Sequence, residues 1–144
     1  MYRRRGRYFV GPLNATNWLR VIGSGPYCAL PSSASALDLG AAVVSALEAS
    51  SFEAIDGEEV TRLAEERLLE LARAAGVSSW KTFERGARYV DVDLATAAEI
   101  LVTPNHRRRG YWEPTPERYW RHLRQPSDAE LGDAVLAALE IATA

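Results

Sequence analysis

The sequence predicts an α+β fold: a single domain in which a mainly antiparallel sheet packs with about three helices. Two of those helices carry the same motif, LG-A-V-AL, once in the middle of the chain and once near its end. The strand-like stretches are grouped rather than alternated with helices, which favours an antiparallel sheet over a doubly wound parallel one. The length of 144 residues fits one domain, residues 1–144, on the usual scale of about 100 to 200 residues.

Taken in order, residues 1–6 hold Arg3, Arg4 and Arg5 and are expected to form a flexible basic arm. Residues 7–13 and 18–22 are short, aromatic and β-branched, and read as two strands joined by a turn at Gly11, Pro12 and Asn14. The first repeat helix is expected over 36–49. Ser35 stands three residues before Asp38, the spacing of a capping box, and Leu39, Val43, Ala46 and Leu47 recur at helical spacing. A glycine inside a helix costs about 1 kcal/mol relative to alanine. Its recurrence in both copies, as Gly40 and Gly132, implies that something packs closely against the backbone there.

A second helix is expected over 57–75, with Val60, Ala64, Leu68, Leu71 and Ala75 on one stripe and Gly76 as its stop. Over 89–94 the pattern alternates: Val90, Val92 and Leu94 face one way, Tyr89, Asp91 and Asp93 the other, as in a half-buried strand. A hairpin leads into a strand over 99–103, which Pro104 is expected to stop. The last strand is placed at 117–123. The second repeat helix follows, with Ser127 three residues before Glu130. Two copies are too few for a solenoid, which needs at least about three, so the repeat points to a pseudo-symmetric single domain.

At 47% hydrophobic and 25% charged the chain is ordinary globular material. A single cysteine, Cys28, forms no internal disulfide and fits a reducing compartment. No apolar run approaches the roughly 20 residues of a membrane helix, and the N-terminus lacks the apolar core of a secretory signal. A cytoplasmic protein without a membrane partner is expected.

Sites of chemistry are scarce. There is no Walker loop, no dinucleotide glycine pattern and no nucleophile elbow, and Gly23-Ser-Gly25 has no following lysine, so it reads as a strand-ending turn. Cys28, His106 and His122 offer a nominal Cys-His pair outside any catalytic signature, and they cannot supply four zinc ligands without carboxylates. No catalytic residue, metal ligand or cofactor is therefore assigned. Asp91 and Asp93 share one strand face, read first as a solvent-facing row, next as a recognition site, and last as an acid–base or magnesium pair. On the second helix, Glu58 with Arg62 and Glu70 with Arg73 fit favourable intrahelical pairs, so its acidic face reads as solvated, with a docking surface as the alternative. Arg107, Arg108 and Arg109 followed by Tyr111 and Trp112 suit a nucleic-acid reader. The acidic pI of about 5.7 opposes that; a small nucleic-acid-binding or regulatory module stays open as the alternative.

The segments PSDAELGDAVLAAL at 126–139 and LGAAVVSALEASSF at 39–52 resemble motifs of the immunity proteins of bacterial contact-dependent growth inhibition (CDI) systems. The resemblance also touches Gly11-Pro12, residues 18–22, and the hairpin ending at Pro104 with His106 and Trp112 nearby. It implies a non-enzymatic protein whose partner is the C-terminal toxin domain of a cognate exoprotein, often a nuclease, blocked at its active site. Nuclease toxins hold phosphate with cations, so an inhibitor filling such a site should present carboxylates beside aromatic anchors. Tyr89, Asp91 and Asp93 on an exposed strand face offer that chemistry, as do Tyr111, Trp112 and Glu113 in a loop after the arginines. The two sets would form one patch if the loop folds back. Nucleic acid is not an expected direct partner, and the oligomeric state is left unspecified.

Overall fold

The computed structural model describes residues 1–16, 21–23, 26–53 and 57–144. Strands β1 (Tyr2–Arg4), β2 (Arg7–Val10), β3 (Leu13–Thr16), β4 (Val21–Gly23) and β5 (Cys28–Pro31) precede helix α1 (Ala36–Ala49). Then come β6 (Phe52–Glu53), α2 (Gly57–Ala74), α3 (Trp80–Glu84), β7 (Arg88–Thr96), β8 (Glu99–Arg108), β9 (Tyr111–Pro114), a 3-10 turn, β10 (Arg121–Arg124) and α4 (Asp128–Ile141). The main sheet runs β10-β8-β7-β1-β2-β5, with β9 also paired to β8, and all these pairings are antiparallel. A small sheet, β4-β3-β6, stands apart. The fold is α+β as expected, with four helices among the described residues rather than about three. No helix among the described residues is long and apolar enough to cross a membrane.

The repeated helices cover one face of the main sheet. Both capping boxes form: Ser35 and Asp38 exchange bonds of 3.1 Å in each direction, and Ser127 and Glu130 do so at 2.8 and 3.4 Å. Leu39 and Val43 from α1 and Leu131, Val135 and Leu139 from α4 are buried with Val10, Val90 and Val102 of the sheet. Full burial of such side chains is worth about 1.5 to 3 kcal/mol each. The two helices cross where they begin. A Cβ on Gly40 would lie 1.7 Å from the carbonyl oxygen of Asp128, the first residue of α4, and one on Gly132 would lie 1.8 Å from that of Ala36, the first of α1.

The opposite face meets α2 and α3 through an aromatic cluster. Phe9 and Phe83 meet edge to face at 5.6 Å, and Leu71 and Ala72 of α2 close over them. Alternation along β2 explains how one strand serves both layers: Tyr8 and Val10 enter the α1–α4 core, while Phe9 enters the aromatic one.

Several expectations need correction. The basic segment 1–6 is not a flexible arm. Tyr2–Arg4 is an interior strand between β2 and β7, and Arg5-Gly6, both at positive φ, make the two-residue turn into β2. Arg4 is 5% exposed and donates to the carbonyls of Phe83 and Thr82 at 2.8 and 2.9 Å, satisfying the end of α3. The expected strand 7–13 breaks into β2 and β3. Of the one expected at 18–22, residues 18–20 lie outside the described residues, as do 24 and 25 of the following turn.

Pro104 does not end its strand. Val90, its partner across the sheet, spends its own amide and carbonyl on Met1, at 3.0 and 2.9 Å, so the Val90–Pro104 pair carries no backbone bond and needs no proline N–H. The last strand is shorter than expected, beginning at Arg121 after the 3-10 turn Glu117–Tyr119.

Because each glycine faces backbone, which cannot rotate away, Gly40→Ala and Gly132→Ala should each destabilise by about 1 to 3 kcal/mol, although alanine is the better helix former by about 1 kcal/mol. Urea unfolding midpoints test this; unshifted midpoints would show that the crossing tolerates a methyl group.

Candidate functional site

Beyond the aromatic cluster the same sheet face opens into a cavity of about 430 Å³, whose walls include Tyr2, Tyr27, Tyr89, Asp91 and Asp93 with Leu68 of α2. Strand period places Tyr89, Asp91 and Asp93 together on this face, as expected. They are not equivalent. The Tyr89 hydroxyl donates to one oxygen of Asp91, and the buried Asn105 amide donates to the other at 3.0 Å while also reaching the Thr103 carbonyl at 3.1 Å. Asp91 is thus a fixed part of the wall. Asp93 is exposed at the rim and accepts no hydrogen bond among the described residues. Partial burial first, and the neighbouring Asp91 charge second, push its carboxyl above the usual aspartate range, with the Met1 ammonium opposing. Burial lowers that ammonium to about 6.

The rings are closely fitted. Tyr89 stacks on Tyr2 at 4.5 Å, and Trp112 meets Tyr89 at 5.6 Å and Tyr2 at 6.4 Å. Burial, with Tyr2 and Asp91 beside it, drives the Tyr89 hydroxyl well above its ordinary range. Tyr27 stands over two glycines: a Cβ on Gly11 would lie 2.4 Å from its ring and one on Gly23 would lie 2.2 Å from its hydroxyl. Burial and then the Glu70 charge raise the Tyr27 hydroxyl to about 12, with Arg67 opposing. The tyrosines are accordingly neutral at physiological pH.

Only part of the expected composite patch is assembled. Residues 111–114 are a strand, not a loop, and the pair Arg109-Gly110 at positive φ turns β8 back into it. Alternation then divides the set. Trp112 joins Tyr89, whereas Glu113 lies opposite His106, 3.6 Å away, on the other face of the sheet, and 3.8 Å from Arg108. Tyr111 projects from the hairpin end and is 74% exposed.

The arginine runs are largely engaged within the fold. Arg3 and Arg88 share Glu140, and Arg107 holds Glu84 at 2.6 Å. On α2, Arg62 bridges Glu59 and Glu66 and Arg67 pairs with Glu70, so the intrahelical pairs form with different partners from those expected. Tyr2 and Tyr27 were missed as site residues: one lay in the supposed arm, the other between the turn and the first repeat helix. The signal for the first was Arg-Gly between two β-like runs, a hairpin pattern hidden by its charge.

Asp91 and Asp93 should separate in their effect on folding. Asp91→Ala leaves the buried Asn105 amide without one acceptor and should cost about 1 to 3 kcal/mol, read from thermal unfolding, whereas Asp93→Ala should not destabilise. Equal losses for both would mean that the two carboxylates are held alike.

The sequence model of the family described as CdiI, CDI immunity protein, matches residues 14–142. Among curated proteins none matches in sequence. Two solved structures share the fold. One is a protein of unknown function from Neisseria meningitidis, at 17% identity and a TM-score of 0.83, covering 97% of this chain and 91% of that one. The other is a CdiA-CT/CdiI toxin and immunity complex from Yersinia pseudotuberculosis, at 16% identity and a TM-score of 0.80, covering 96% and 92%.

Proposed function

The chain belongs to the CDI immunity protein family, and on that premise we propose that its toxin is a nuclease and that it neutralises this toxin by covering the substrate-binding surface. The partner is the C-terminal toxin domain of a cognate CDI exoprotein. The toxin and immunity complex formed by the Yersinia protein of like fold supports such a partner. Binding rather than turnover is the proposed activity, and the bacterial cytoplasm its place.

The observation that carries the reading is the rim of the cavity. There an aspartate free of hydrogen-bond donors among the described residues stands over aromatic walls, on a chain of net charge −2. A nuclease holds a polyanion with arginine and lysine, and an inhibitor that meets those groups with carboxylates removes the site from its substrate. Aromatic side chains beside the charges supply rigid contact area. A stable complex of this kind buries about 1,200 to 2,000 Å², more than the cavity mouth alone, so Trp112 falls within reach of the same interface, whereas the exposed Tyr111 alternates onto the other face with Glu113. Glu113, on the reverse face, is left to its edge.

The test pairs the protein with the toxin domain encoded beside it. Wild type should restore growth to cells making the toxin and should block its cleavage of RNA or DNA. Asp93→Lys should weaken binding by well over tenfold, since it sets like charges together. Glu113→Lys should weaken it less. A toxin that cleaves no nucleic acid would overturn the nuclease assignment, and full protection by Asp93→Lys would move the interface to another surface.

A further inference from the structure

We propose that the cavity behind Asp93 is a receptor for one cationic side chain of the toxin, an arginine or lysine that enters it head first. The inference rests on the immunity reading and adds to it the chemistry of the group received. The cavity, about 430 Å³, lies within the range of pockets that take small organic groups. Tyr2, Tyr27 and Tyr89 wall it, and aromatic faces beside carboxylates are the surroundings that hold organic cations.

The charge arrangement specifies the guest. Asp91 is bonded on both oxygens by Tyr89 and Asn105, while Asp93 has no donor among the described residues. Among the described residues no arginine or lysine side chain lines the cavity; the Met1 amino group at its wall donates to the Val90 carbonyl at 2.9 Å. Two carboxylates therefore stand side by side on one strand face at the cavity wall, Asp93 alone uncommitted among the described residues, and an entering guanidinium or ammonium group relieves their repulsion. An apolar guest would desolvate Asp93 and leave it unpaired, at a cost. A hard metal ion is poorly served, because no three His, Cys, Asp or Glu side chains converge among the described residues, and calcium takes six to eight oxygens.

Three measurements on the full chain test the proposal. Affinity for the toxin should fall at least about tenfold in Asp93→Asn and recover in part in Asp93→Glu. In the free protein the ring resonances of Tyr2, Tyr27 and Tyr89 should shift on titration with N-acetylarginine amide, and not with its neutral citrulline counterpart. Asp93→Asn, while weakening the toxin complex, should raise the melting temperature of the free protein, since it removes an ionised group that folding disfavours. A carboxyl raised by folding lowers stability above its folded pKa, so this gain should appear at neutral pH and vanish in acid. Toxin affinity within twofold of wild type in Asp93→Asn, or equal response to arginine and citrulline, would overturn the receptor. Failure of the wild-type protein to protect against the toxin would instead overturn the immunity reading, and the ring titration judges the cavity apart from it.

Discussion

Gly40 lies on the backbone of Asp128 and Gly132 on the backbone of Ala36, and this reciprocal approach sets the spacing of everything above the sheet. Only residues without a Cβ allow two helices to touch there. Crossing at their first turns also brings together the positive ends of two helix dipoles, an arrangement that repels. Asp38 in one helix and Asp128 and Glu130 in the other put negative charge where those ends meet. The serine bonds hold the carboxyls of Asp38 and Glu130 below their ordinary range, so they remain charged. Cap, glycine and dipole are thus parts of one solution, and the repeated motif writes that solution twice.

With one sheet face covered by this pair, the cavity lies on the other. There the layer is uneven. The aromatic cluster runs from Phe9 of β2 through Tyr2 and Tyr89 to Trp112 of β9, and Asp91 and Asp93 lie beside it at the cavity. The cavity is the gap between a covered and an uncovered part of one face. Its floor is rigid because Asn105, 1% exposed, ties Asp91 to the backbone of β8. Asp93, which accepts no hydrogen bond among the described residues, stands one strand period further out.

The repeats were legible in the sequence because helix signals are local: a serine, an acid three residues on, and an apolar stripe. The alternation of Tyr89, Asp91 and Asp93 was legible for the same reason. What could not be read depended on distant partners. Arg3 and Arg4 looked like a solvated arm because nothing local shows that Glu140 or the end of α3 awaits them. Pro104 looked like a stop because the strand partner that makes its missing N–H harmless is Val90, itself engaged by Met1. The division of Trp112 from Glu113 followed from a turn at Arg109-Gly110 whose glycine was outweighed by the charges around it.

The separation of the two halves of the helix pair has a consequence for how the molecule is made. The α1 face, with Leu39 and Val43, has its partner in α4, at the far end of the sequence. Contacts so distant close late, because the entropy of a long loop must be met before they repay it. On the ribosome α1 therefore emerges with the α4 side of its apolar stripe unmatched, and it stays so until residues 128–141 have been synthesised. The core is completed only when α4 is made, and a nascent chain that stops short of it lacks half of that layer.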